Sequence, residues 1–259
     1  MAKVIAVCNQ KGGVGKTTTS INLAACLSAA ERRTLIVDMD PQSNATTGLG
    51  LDKNEIEFSV YDVLTSSTEG PDLIRADEVI IKLPEIKYLD ILPATPDLAG
   101  AEVELVNTIA REKRLDAAIN SVKDNYDYVI IDSPPSLGLL TVNVLTAADS
   151  VLIPIQCEYY ALEGLAELLN TVRLVQKSLN SKLVIEGALL TMYDNRLNLS
   201  RQVAEDVRSC FSGRVFDVVV TRNVKLSEAP SFGKPIILYD IMSSGAENYL
   251  NLAKEIMQN

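Results

Sequence analysis

The chain has 259 residues, 47% hydrophobic and 22% charged, a balance that suits a soluble globular fold and sets disorder aside. A net charge of −10 argues against a protein that coats nucleic acid over its whole surface, and the lack of any histidine excludes imidazole-based triads. Cys8, Cys26, Cys157 and Cys210 lie far apart with no C-x-x-C pair, so buried apolar packing is expected rather than disulfides, zinc or an iron–sulfur cluster.

Short runs of Val, Ile and Leu alternate with longer helical patterns, the signature of stacked βαβ units. The expectation is an α/β fold, a doubly wound and mostly parallel sheet with helices on both faces, forming one domain over residues 1–259. No apolar run approaches the roughly 20 residues that cross a bilayer. The first strand, 3–8, leads straight into a functional loop, which a cleaved leader would remove, so a cytoplasmic location is expected. In open sheets of this type ligands bind beyond the carboxyl ends of the strands.

At that position comes Asn9-Gln10-Lys11-Gly12-Gly13-Val14-Gly15-Lys16-Thr17-Thr18, followed by a helix over 17–30. The glycines let backbone wrap an anion, the helix N-terminus adds positive potential, Lys16 reaches β- and γ-phosphates, and Thr17 ligates magnesium. The usual spacing G-x-x-x-x-G-K-[ST] needs glycine where Gln10 stands, and a second lysine, Lys11, heads the loop. Lys11 is suited to touch a nucleotide held by a second subunit. The run from Lys11 to Thr17 resembles the deviant Walker A box of the ParA/MinD ATPases. That resemblance implies a fold of the P-loop NTPase type, with ATP (ADP after turnover) and Mg2+ as cofactors. Around the phosphates it sets Lys11, Gly12, Gly13, Val14, Gly15, Lys16, Thr17 and Thr18.

The second strand, 34–38, ends in Asp38-Met39-Asp40, whose two carboxylates point the same way from an extended segment. They resemble the family's Walker A′ box, which implies that Asp40 positions or activates the attacking water while Asp38 supports the magnesium shell. Residues 50–84 read as an insertion of short helices and loops, including the run Thr65-Ser66-Ser67-Thr68-Glu69-Gly70-Pro71. A strand at 89–92 and helices at 97–106 and 111–122 follow. The strand 128–132 closes in Asp132-Ser133-Pro134-Pro135, which resembles a Walker B box. An acid ending a buried apolar strand is costly unless a cation or hydrogen bonds compensate it, so Asp132 is assigned to magnesium. The two prolines stiffen a candidate switch loop.

The remaining expected elements are helices at 137–147, 161–178, 199–210 and 246–257 and strands at 150–155, 183–190 and 217–220. After the last strand, Thr221-Arg222-Asn223-Val224-Lys225-Leu226-Ser227-Glu228-Ala229-Pro230-Ser231 resembles a signature of the Soj-like chromosomal ParA branch, in which Asn223 would bond the adenine edge. Proline is common in that family where this chain has Thr221. The resemblance extends through Leu190-Thr191-Met192-Tyr193-Asp194 and Ser231-Phe232-Gly233-Lys234-Pro235-Ile236 and covers nearly the whole chain.

This branch implies a homodimer closed over two ATP molecules, each Lys11 neutralising charge on the opposite nucleotide. It further implies non-specific binding to double-stranded DNA, nucleoid association, and hydrolysis stimulated by a ParB-type centromere-binding protein, driving chromosome or plasmid partitioning. For the DNA contacts we select Arg196, Arg201, Arg222, Lys225 and Lys234. From 190 to 240 there are seven basic and six acidic residues, so this segment carries +1 and the rest of the chain −11. Two alternatives stay open: positioning of another cellular cargo, and a MinD-like membrane ATPase. The latter is disfavoured because the last 13 residues hold two acids and one lysine, not a basic amphipathic helix, so no stable membrane association is expected. A nitrogenase-reductase-like electron carrier is disfavoured by the cysteine placement.

Overall fold

The computed structural model describes residues 2–67, 70–158 and 163–258. Among them are eight strands: β1 (Lys3–Val7), β2 (Thr34–Asp38), β3 (Ile81–Lys82), β4 (Leu89–Leu92), β5 (Tyr128–Asp132), β6 (Ser150–Gln156), β7 (Val184–Tyr193) and β8 (Val215–Thr221). They make one sheet in the order β3-β4-β2-β5-β1-β6-β7-β8, parallel throughout except where β3 pairs antiparallel with β4. Strand β3 escaped the sequence reading because two residues are too few to show a period.

Twelve α-helices accompany the strands among the described residues. They are α1 (Lys16–Ala29), α2 (Asn44–Gly48), α3 (Val60–Thr65), α4 (Ala76–Val79), α5 (Leu98–Glu104), α6 (Arg114–Val122), α7 (Leu139–Ala147), α8 (Glu163–Ser178), α9 (Asn198–Cys210), α10 (Val224–Glu228), α11 (Ile236–Tyr239) and α12 (Ser244–Met257). The helices expected at 97–106 and 111–122 are each part α and part 3-10, with 3-10 turns at Leu105–Asn107 and Arg111–Lys113. The last helix starts two residues before its expected position because Ser243 caps it, its hydroxyl accepting from the Ala246 N–H. Residues 161–162 of the helix expected at 161–178, and Thr68 and Glu69 of the 65–71 run, lie outside the described residues.

Alternation along the strands divides the core between the two faces. Val4, Ala6 and Cys8 of the first strand and its exit, with Val129 and Ile131 of β5, pack under α3 and α5 to α9. Ile5, Val7 and Ile130 point the other way, into a core built with α1, α11 and α12. Both faces are covered, which is why these strands read as continuous apolar runs instead of alternating ones. Fully burying each large aliphatic side chain contributes roughly 1.5–3 kcal/mol.

Strand β7 runs three residues beyond its expected end at 190, and its pairing with β8 shifts register between Leu190 and Tyr193. The extension carries Thr191 and Met192 to the carboxyl edge of the sheet. Parallel pairing also sets Asp38 opposite Asp132, and Asp132 opposite Val7, so the ends of β1, β2 and β5 meet at one level.

Candidate nucleotide site

Between β1 and α1 the chain turns through Gly13 (φ 74°) and Gly15 (φ 89°), both left-handed, and Gly15 occupies the N-cap position. Glycine is needed there because a Cβ disfavours that conformation. No side chain caps α1, so its first N–H groups remain available to an anion, with the helix dipole behind them. The buried Lys16 ammonium donates to the Lys11 carbonyl at 3.3 Å, spanning the loop. Burial pulls its pKa down, opposed by the nearby Asp132 carboxylate. Gln10, which stands where the common motif has glycine, donates through Nε2 to Glu167 of α8 at 2.5 Å. Asn9 ties the loop down from the other side, donating to the Pro154 carbonyl at 2.7 Å and accepting from the Lys11 N–H at 3.0 Å. The Lys11 ammonium makes no hydrogen bond or ion pair among the described residues.

Three carboxylates sit behind the loop. Asp132, with no exposed surface, accepts from the Thr17 hydroxyl (2.7 Å) and the Ser20 hydroxyl (2.8 Å). Burial, then the Asp38 charge beside it, push its pKa up to about 7. Asp38 is equally buried and pushed up to about 6 by burial. It accepts from the Thr46 N–H and hydroxyl through Oδ2 and from the Asp40 N–H through Oδ1. Much of its hydrogen-bonding capacity is thus spent holding α2 and the Asp40 turn. Asp40 accepts from the Gln42 N–H at 3.0 Å. It lines a cleft of about 410 Å³ together with Gly12, Gly13, Lys16, Thr17, Thr18 and Pro135. A buried, desolvated carboxylate bonded to two hydroxyls, beside an amine and an open anion-binding loop, has the donor set for a magnesium–phosphate group.

Beside this cleft lies a second cavity of about 320 Å³, lined by Thr18, Thr191, Val220, Thr221, Asn223 and Pro230 among others. Asn223 caps α10, accepting from the Lys225 N–H at 2.7 Å and donating to the Ser244 hydroxyl at 2.8 Å. Thr221, where proline is common in the family, donates both its N–H and its hydroxyl to Asn248 Oδ1 (3.1 Å each). Proline would lose the first bond, so threonine joins this cavity to α12.

Sequence reading missed three polar groups: Ser20, Thr46 and Thr191. Ser20 was legible as the i+3 partner of Thr17 on one face of α1. Thr46 had no such signal, because α2 has five residues and reaches Asp38 through space.

The five selected basic residues do not form one uninterrupted patch. Arg196 pairs with Asp194 (2.7 Å), Arg222 with Glu158 (3.4 Å) and Lys225 with Glu228 (3.1 Å), while Arg201 bonds Asn198 (2.5 Å). Arg196 and Arg222 both face Asp194, whose pKa is held down to about 2, chiefly by its hydrogen bonds from Arg196. Lys234 has a different setting, near Glu85 (3.9 Å) in a groove with Gly50 and Leu83. All five therefore have polar or acidic partners, Lys234 drawing its own from Glu85, just past the 50–84 insertion. The packing expected of all the cysteines is corrected for Cys210, which is exposed. Burial pushes the Cys8 and Cys26 thiols up to about 12 and Cys157 to about 11, which keeps them protonated.

Comparison with known proteins matches residues 2–185 to a family described as an AAA domain. The sporulation initiation inhibitor protein Soj of Bacillus subtilis is 61% identical over 100% of both chains. The chromosome partitioning protein ParA of Myxococcus xanthus is 57% identical over 100% of this chain and 89% of its own. A solved structure of cobyrinic acid a,c-diamide synthase from Mycobacterium smegmatis, with bound ATP analog and magnesium, superposes with a TM-score of 0.86. It is 37% identical, covering 100% of this chain and 95% of that one.

Proposed function

Because the chain belongs to the AAA-domain family of ParA/MinD-type ATPases that includes Soj and ParA, we propose that it is a dimeric, DNA-binding switch that drives chromosome or plasmid partitioning. It is a P-loop ATPase with ATP and magnesium as cofactors. Partition relatives at 61% and 57% identity outweigh the diamide synthase name carried by a structure at 37%.

The residues fit the cofactors. The loop amides and Lys16 would hold the phosphates, and Thr17, with Asp132 behind it, would hold magnesium. Bound magnesium neutralises charge on the phosphates. Asp40 takes the role of orienting water and accepting its proton at the carboxylate. Asp38 would support the magnesium shell, and it also fixes Asp40 by accepting from the Asp40 N–H. Asn223 faces the base, while Arg196, Arg201, Arg222, Lys225 and Lys234 are the DNA contacts, in the nucleoid of the cytoplasm. The chain acts as a single domain over residues 1–259, with hydrolysis stimulated by a ParB-type partner. Membrane attachment through α12 is disfavoured, because Tyr249, Leu252, Ala253 and Ile256 bury its apolar face in the core.

One observation carries the dimer reading. The half-buried Lys11 heads an anion-binding loop with its ammonium unpartnered among the described residues, where it can meet charge brought from outside the subunit. With ATP and magnesium, Asp40→Ala is expected to accumulate as a DNA-bound dimer in gel filtration. Adding Lys11→Ala is expected to return it to a monomer without DNA. A dimer that persists without Lys11 would overturn the reading.

A further inference from the structure

Met192 is a long side chain on left-handed backbone (φ 51°), a conformation that favours glycine or asparagine. Its neighbours hold it there. The Thr191 hydroxyl donates to the Val14 carbonyl of the phosphate loop at 2.8 Å, and the Cys157 N–H donates to the Thr191 carbonyl at 3.1 Å. On the other side the Arg222 N–H donates to the Tyr193 carbonyl at 3.0 Å. Backbone strain that surroundings over-determine in this way clusters at ligand clamps.

The position explains the strain. Gly15, Thr18 and Met192 are the residues that line both the phosphate cleft and the neighbouring cavity. Gly15 has no side chain and Thr18 a short one, so Met192 supplies the bulk where the two compartments join. A molecule with phosphates in one and a base in the other must pass its sugar across this junction. The half-buried thioether suits the sugar, being apolar and adaptable in shape.

We propose that Met192 is a positioning residue for the nucleotide, its side chain seated against the sugar so that base and phosphates engage their compartments together. This rests on the reading that the cleft holds ATP. It assigns the register shift at the end of β7 a purpose: the shift turns Met192 into the junction while Thr191 anchors the loop.

The test uses calorimetric titration of the full chain, Met192→Ala and Met192→Gly with magnesium-ATP and, separately, magnesium-tripolyphosphate, plus thermal unfolding without ligand. ATP affinity is expected to fall about tenfold in both variants while tripolyphosphate affinity stays at the wild-type value. Met192→Gly is expected to unfold at a higher temperature than Met192→Ala, since glycine relieves the left-handed backbone, yet to bind ATP no better. A merely structural role would instead make ATP affinity follow stability. Unchanged ATP affinity in both variants, or equal losses for ATP and tripolyphosphate, would overturn the proposal. Wild-type protein that binds neither ligand would overturn the nucleotide reading beneath it.

Discussion

Asp132 lies at the end of β5 with no exposed surface, and its hydrogen bonds from Thr17 and Ser20 do not offset what desolvation costs its charged form. Its pKa of about 7 in the folded protein exceeds the ordinary 3.8, so the folded state holds the proton more tightly than the unfolded chain. That contribution to stability is full below the unfolded value and is lost as pH rises to about 7. Asp38, at about 6, adds a change of the same sign. In chelator and without nucleotide, denaturation midpoints of Asp132→Asn are expected to decline less than wild type between pH 5 and 7, with the residual slope carried by Asp38. Equal slopes would contradict the assignment. The sequence made Asp132 visible as an acid closing an apolar run. Its partner Asp38 was visible too, but the parallel register that places them side by side was not.

At the scale of elements, two glycines decide how closely the end of α2 meets the segment before α11. Gly50 follows α2 and Gly233 precedes α11, both with positive φ, and a Cβ on Gly233 would sit 2.5 Å from the Gly50 Cα. The backbones touch because neither residue has a side chain. The same region brings Gly48 near Pro230, which lines the cavity beside the phosphate cleft, and α2 carries Thr46, which holds Asp38. Gly233→Ala is expected to destabilise by about 1–3 kcal/mol in chemical denaturation, from overpacking and left-handed strain together. Gly50→Ala should behave similarly, and the double variant should cost less than the two together, since both strain one point of approach. Additive losses would mean the glycines act separately. The run Ser231–Ile236 was recognised in sequence as a motif, but the reason for its glycine lies about 180 residues earlier in the chain.

Across the whole molecule charge is uneven, and the segment 190–240 of this acidic protein is nearly neutral. Arg196, Arg222 and Lys225 there pair with acids, and surface pairs of this kind contribute little to stability. Exchanging such a carboxylate for a phosphate would therefore cost little. Reversing charge at both Arg196 and Lys225 is expected to abolish ATP-dependent DNA binding while nucleotide affinity is retained. Single reversals should lower the slope of log affinity against log salt by about 0.9 for each phosphate that is no longer neutralised. Unchanged DNA affinity in the double variant would remove both residues from the interface.

The sequence by itself determined the alternation of strands and helices, the phosphate loop and the acids at strand ends, because these are local: a period, a glycine turn, a charge after an apolar run. Several features were decided only by tertiary structure. They are the meeting of Asp38 with Asp132, the bracing of Asp38 by Thr46, the close approach of Gly50 and Gly233, the approach of Lys234 to Glu85, and Met192 between two compartments. Each depends on parallel register or on packing between segments far apart in the chain, and neither leaves a periodic trace in the residues themselves.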